Sequence, residues 1–173
     1  MVTFEKIIKD KRLIDISLFQ DQSVTYTGVC LKINKHIWIL VNYDFDRKAY
    51  NGFSIFKNEI IETFTLWKKS GISLKYDNLK DFTGKLPLSK METLYSSLKN
   101  LSGFELVAVI IGTNTHAYYI GKVLKLNKNE LTLKLIDKSG KWLKSKKFPL
   151  SIISFISFGT DIEDALINVN AAV

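Results

Sequence analysis

The sequence predicts a mainly β protein, built as two five-stranded small barrels in tandem, each preceded by a short α-helix. Two observations carry this reading. Eleven Phe, seven Tyr and three Trp stand against nine Gly and two Pro, an inventory of ring-bearing side chains that pack well on pleated surfaces. The second is an internal echo. Gly28-Val-Cys-Leu-Lys-Ile-Asn-Lys35 returns as Gly121-Lys-Val-Leu-Lys-Leu-Asn-Lys128, and 121 minus 28 gives an offset of 93. The flanks follow at the same offset: Tyr26 meets Tyr119, Leu40 meets Leu133, Asp44 meets Asp137, Lys48 meets Lys141 and Ile60 meets Ile153. Agreement outside the octapeptide favours duplication of one unit.

Each copy opens on apolar residues three or four apart, the period of a helix. These are Phe4, Ile7 and Ile8 in the first, and Met91, Leu94, Tyr95, Leu98 and Leu101 in the second. Ser89, with Glu92 three residues on, predicts a capping box for the second helix, and Gly103 its stop. Five strands are expected to follow in the first copy: Leu13 to Phe19, Val24 to Ile33, Ile37 to Tyr43, Gly52 to Lys57 and Ile60 to Leu66. Their counterparts are Leu106 to Ile111, Tyr118 to Leu126, Glu130 to Asp137, Lys141 to Phe148 and Ile152 to Phe158. Asn34-Lys35, Asn127-Lys128-Asn129, Asn51-Gly52 and Ser139-Gly140 supply turn chemistry between them. Residues 1–67 form the expected first barrel, 68–87 a connector with an ordered turn around Phe82, and 88–173 the second barrel.

A helix followed by five bent strands, with Tyr26-x-Gly28 and Asn34 in one copy and Tyr119-x-Gly121 and Asn127 in the other, resembles the Sm-like family of Sm and LSm proteins. The glycine suits a long strand that must curl while a neighbouring backbone comes close. The resemblance implies an Sm-like barrel and nucleic-acid binding. The family's second motif, an aliphatic pair followed by Arg-Gly, is missing: Ile60-Ile61-Glu62-Thr63 and Ile152-Ile153-Ser154-Phe155 stand in its place. An SH3-like barrel has nearly the same sequence rhythm.

Cys30 is the only cysteine, which excludes an intrachain disulfide and a multi-cysteine zinc site and fits a reducing, cytoplasmic setting. The basic N-terminus leads into an apolar run that Asp15 breaks, so no signal peptide is read. Apolar stretches such as Leu106 to Ile111 and Ile152 to Phe158 fall short of the roughly 20 residues of a membrane-spanning helix, and no membrane partner is expected.

No catalytic constellation is evident, so an enzyme is not expected, and neither is a cofactor or a metal. His36 and His116 occupy different places in the two copies. Asp44 and Asp46 would be the acid and base of an enzyme, but the second copy keeps only Asp137, which favours loop solvation.

A formal charge of +8, nearly all of it Lys beside Arg12 and Arg47, raises the prospect of a polyanionic partner. Between Tyr118 and Phe148 stand Lys122, Lys125, Lys128, Lys134, Lys138, Lys141, Lys144, Lys146 and Lys147, against Glu130 and Asp137, with Tyr118, Tyr119 and Trp142 interleaved. From this stretch Tyr118, Lys122, Lys125, Lys128, Lys134, Lys141, Lys144 and Lys146 make a candidate face for RNA or DNA, since phosphates attract lysine and bases stack on rings. Lysines on outward strand positions also blunt sheet edges, so a protein-interaction or assembly module, with a protein partner or a second copy, is the competing reading. The third strand of the first copy is apolar on both faces, and Ile37, Ile39 and Val41 are expected to form a packing interface. The first barrel would then pack while the second meets the partner.

Overall fold

A computed structural model describes residues 3–19, 21–67, 79, 84, 86–101, 104–112 and 118–171. Helix α1, Phe4–Asp10, starts where the Thr3 hydroxyl accepts the Lys6 N–H and stops at Lys11, which is left-handed. It presses Ile7 into the fold and is followed by β1, Leu13–Leu18; β2, Asp21–Ile33; β3, Ile37–Asp44; β4, Ala49–Lys57; and β5, Ile61–Leu66. After the connector come α2, Leu94–Lys99; β6, Val107–Ile111; β7, Tyr118–Leu126; β8, Glu130–Ile136; β9, Trp142–Pro149; β10, Ile153–Phe158; and α3, Asp161–Ala171.

The ten strands form one antiparallel sheet in the order β5-β1-β2-β3-β4-β10-β6-β7-β8-β9. This corrects the expectation of two separate barrels: the sheet is open, and its two halves are joined by β4 pairing with β10. The cause is the composition of those strands. Phe53, Ile55 and Phe56 lie across from Phe158, Ile156 and Phe155, and all six are almost fully buried. Strands apolar on both faces hide their side chains best inside a sheet covered on both sides.

The pairing of β6–β10 repeats that of β1–β5. Irregularities at Cys30/Lys32 and Val41/Tyr43 recur at Val123/Lys125 and Lys134/Ile136, each 93 residues on. A Cβ on Gly28 would overlap the Val41 carbonyl oxygen, and one on Gly121 would overlap that of Lys134, so the close approach expected of these glycines is present in both halves. The Asn34 side chain accepts the N–H groups of His36 and Ile37, as Asn127 accepts those of Asn129 and Glu130.

Gapless correspondence ends at the turn before the fourth strand. Phe45, Asp46, Arg47 and Lys48 lie between Asp44 and its partner Ala49, whereas only Lys138, Ser139 and Gly140 lie between Asp137 and Lys141. Beyond this turn the offset is 92, since Phe56 corresponds to Phe148. Ile153 therefore answers to Ile61 rather than Ile60, and Lys48 answers to Gly140 rather than Lys141. Both turns end on a residue of positive φ, 52° at Lys48 and 82° at Gly140.

One side of the sheet carries Val29, Ile39, Val41, Phe53 and Ile55 together with Leu131, Leu133, Phe148, Ile156 and Phe158, in a single core with Leu94 and Leu98 of α2. Leu79 and Leu86 from the connector join that core, so part of the segment assigned to a linker is internal packing. The other side buries Ile14, Ile16, Cys30, Trp38, Leu40 and Phe56 with Ile7 of α1. Burial pushes the Cys30 thiol up to about 12, which keeps it protonated.

Helix α2 begins later than Ser89 predicts. Thr93 is its N-cap, with Ser96 completing the capping box, while Ser89 lies in a 3-10 turn, Leu88–Lys90. Glu92 instead pairs with Lys32 and accepts from the Asn34 amide. Gly103, Phe82 and His116 lie outside the described residues. Helix α3, which the strand periodicity does not predict, is announced by Thr160 and Glu163: the Glu163 carboxylate accepts the Thr160 N–H at 2.8 Å, a capping contact ahead of a first turn rich in acids.

Replacing Gly28 or Gly121 by Ala should lower stability by about 1–3 kcal/mol in urea denaturation, because the obstructing atoms are backbone and cannot swing aside.

Candidate lysine-rich binding face

Strand register decides which lysines share a face. Lys122 lies across from Lys134, and Lys134 from Ser145; Lys125 lies across from Thr132, and Thr132 from Lys147. Paired residues project to the same side of a sheet, so Lys122, Lys125, Lys134 and Lys147 form two adjoining rows. Lys147 reaches Glu130 at 3.4 Å and Lys122 reaches Glu105 at 3.9 Å.

The other candidates sit elsewhere. Lys146 points to the opposite side, its Nζ 3.0 Å from the Tyr119 hydroxyl and 4.1 Å from that ring's centre. Lys144 lies in the irregularity between Trp142 and Ser145. Lys128 occupies the β7–β8 turn, and Lys141 follows the β8–β9 turn, donating its N–H to Asp137. Hydrogen bonds from Ser139 and Lys141 hold the Asp137 carboxyl below its ordinary value. Asp44 uses its carboxylate likewise, accepting the N–H groups of Asp46 and Arg47 at 2.9 and 3.1 Å.

The two rows have counterparts in the first half of the sheet. Where Lys122, Thr132, Lys134, Ser145 and Lys147 stand, the first half has Val29, Ile39, Val41, Phe53 and Ile55, all at most 1% exposed. Because β10 pairs with β4, these equivalent faces look to opposite sides of the sheet. The apolar one meets α2 and the second half's core, and the lysines meet solvent. Ile37, Ile39 and Val41 lie within the shared core.

Tyr118 projects from the same side as the rows, through its register with Ile110 and Phe155. It borders a cavity of about 710 Å³ between the sheet and α3, lined by Ile120, Ile136, Leu143, Ile162 and Leu166, with Arg47 and Lys138 among its charged residues. Tyr118 and Ile162 also line a second cavity of about 590 Å³, with Tyr26, Asn42, Ser157 and Thr160. Arg47 and Asp161 form an ion pair that ties the β3–β4 turn to α3. Burial, then the nearby Glu163, push the Tyr118 hydroxyl up, leaving it a neutral hydrogen-bond donor.

The face expected from the sequence omits Lys147 and includes Lys146; the structure reverses both. Alternation along β9 carries the missing signal, since 145 and 147 share a side while 146 does not. Among the described residues, no group of three or more His, Cys, Asp or Glu is placed to hold a metal ion, and no helix is long and apolar enough to cross a membrane.

Glu163 offers a pH test. It is 1% exposed, and burial raises its carboxyl above the ordinary value of 4.5, against the hydrogen bonds from Thr160 and Ser157. An acid raised on folding contributes stability that is full below its unfolded value and is lost as pH rises through its folded value. Thermal melts from acidic to neutral pH should therefore show Glu163→Gln gaining on the native protein as pH increases.

No family model matches the chain, and no curated protein and no solved structure matches it either.

Proposed function

We propose that this chain is a non-catalytic binding module, a duplicated Sm-like unit joined edge to edge, that holds single-stranded RNA or DNA on the lysine rows of its second half. The observation that carries this reading is the exchange of Val29, Val41 and Ile55 in one half for Lys122, Lys134 and Lys147 in the other, at matching places in the ladder. Solubility alone calls for scattered charges of both signs. Here Lys122 faces Lys134 directly, and like charges across a ladder repel by some tenths of a kcal/mol. A phosphate above the row converts that repulsion into attraction.

Tyr118, partly exposed on the same side of the sheet as the rows and separated from Lys122 by Ile120, supplies a ring on which a base can stack, worth about 1–3 kcal/mol. The rows themselves hold lysine and no arginine, which suits recognition of phosphate as point charge and gives little base discrimination.

Fluorescence anisotropy with labelled homopolymer RNA and DNA should show binding at low salt that falls steeply as salt rises. Changing Lys122, Lys125, Lys134 and Lys147 together to Ala should flatten the salt slope by about 0.7 for each phosphate that is no longer neutralised. Tyr118→Ala should weaken binding with the slope unchanged. Absence of binding to every homopolymer at low salt would overturn the reading.

A further inference from the structure

Among the described residues, two edges of the sheet carry no neighbouring strand, β5 and β9. The β9 edge has an internal precedent, because its structural counterpart β4 does accept a strand, β10, with Ile55 opposite Ile156 and Phe53 opposite Phe158. By the offset of 92 established from Phe56 and Phe148, these β4 positions correspond to Lys147 and Ser145.

Their backbone is turned the right way. Leu150 donates its N–H to the Asn129 carbonyl, and hydrogen-bonded pairs alternate along an antiparallel ladder. Leu131 with Phe148 and Leu133 with Lys146 are then the bonded pairs, leaving the N–H and C=O groups of Ser145 and Lys147 directed away from β8. Pro149, which has no N–H to offer, falls in the same outward set, as proline on an edge strand should.

We propose that β9 is a docking edge for an extended, acidic segment of a partner protein, which adds to the sheet as an antiparallel strand. Charge selects the occupant. Lys144, Lys146 and Lys147 flank the outward backbone, where β4 presents Phe53, Ser54 and Ile55 to an apolar strand. Carboxylates at alternate positions of an incoming strand project to one side of the sheet and meet Lys147 there, with Lys134 and Lys122 behind it. Lys146, on the other side, is held by Tyr119. A second copy of this chain fits less well, since its own free edge, β5, brings a single acid, Glu62, among Ile61, Thr63, Phe64, Thr65 and Leu66. Lysines on an edge also repel unwanted strands, and selecting against neutral strands while admitting an acidic one is the same electrostatics seen from two sides. A purely protective edge has no use for exposed apolar side chains, whereas Trp142 and Leu143 at the head of β9 are 37% and 42% exposed.

Docking at this edge is separable from nucleic-acid binding, because it needs the outward backbone groups of Ser145 and Lys147, although Lys147 also belongs to the lysine rows. The probe is a short labelled peptide of alternating Glu and Val, compared with the same peptide N-methylated on alternate residues and with its Lys-Val counterpart. Expected results are binding of the acidic peptide with shifts in the Ser145 and Lys147 amide resonances, loss of binding on N-methylation, and none for the Lys-Val peptide. Lys144→Glu combined with Lys147→Glu should weaken binding by about tenfold or more. Ser145→Pro, which removes an outward donor and leaves the β8 ladder intact, should abolish it. The N-methylated peptide requires no change in the protein, so the test stands even if Ser145→Pro folds poorly. No binding of the acidic peptide, or equal binding of its N-methylated form, would overturn the proposal. So would self-association in sedimentation that peptide does not compete and that depends on β5, which would assign the edge to a second copy.

Discussion

The way the two halves of this molecule are joined depends on the pairing of β4 with β10. The two strands bring Phe53, Phe56, Phe155 and Phe158 together, with ring centres 5.2 Å apart for Phe53 and Phe158 and 4.7 Å for Phe56 and Phe155. Each fully buried side chain of this size contributes about 1.5–3 kcal/mol, and offset or tilted ring contacts add to that. Were β4 and β10 left as edges, these rings would meet water and two long apolar strands would stand open to aggregation. The junction merges what would be two cores into one on the side where α2 lies.

The junction also sets which surface each half shows. Similar strands, bent at the same places by Gly28 and Gly121 and by paired irregularities, present equivalent faces to opposite sides. An apolar face in the first half is therefore covered, and the matching face of the second half is free to carry lysines. The differences in composition between Ile37-Trp38-Ile39-Leu40-Val41 and Glu130-Leu131-Thr132-Leu133-Lys134 follow from burial on two faces against burial on one.

Most of the strand pattern is legible in the sequence because β-periodicity and turn residues are local signals. The starts of β1, β3, β7 and β8 fall where the Asn and Gly turns and the apolar alternation put them. The lateral joining is not legible, since nothing local distinguishes a strand that closes its own barrel from one that pairs with a distant strand. The turn shortened by one residue is hidden for a related reason: Lys48 and Lys141 align by identity, while the conformation aligns Lys48 with Gly140. Helix α3 is readable from Thr160, Glu163 and the spacing of Ile162, Leu166 and Val169, but the β rhythm directly ahead of it masks the change of period. At the site, proximity in sequence groups Lys146 with Lys147, and only register separates them.

The place of β10 has a further consequence for how the chain comes to its final form. It is the last of the ten strands to be synthesised, yet it sits mid-sheet between β4 and β6, so the pairs Phe53–Phe158 and Ile55–Ile156 close loops of about a hundred residues. Until Phe158 has left the ribosome, β4 offers a bare apolar edge, and the first half must wait with it exposed. The shared core thus ties folding of the first half to synthesis of the second: a chain truncated before Ile153 lacks the strand that joins them.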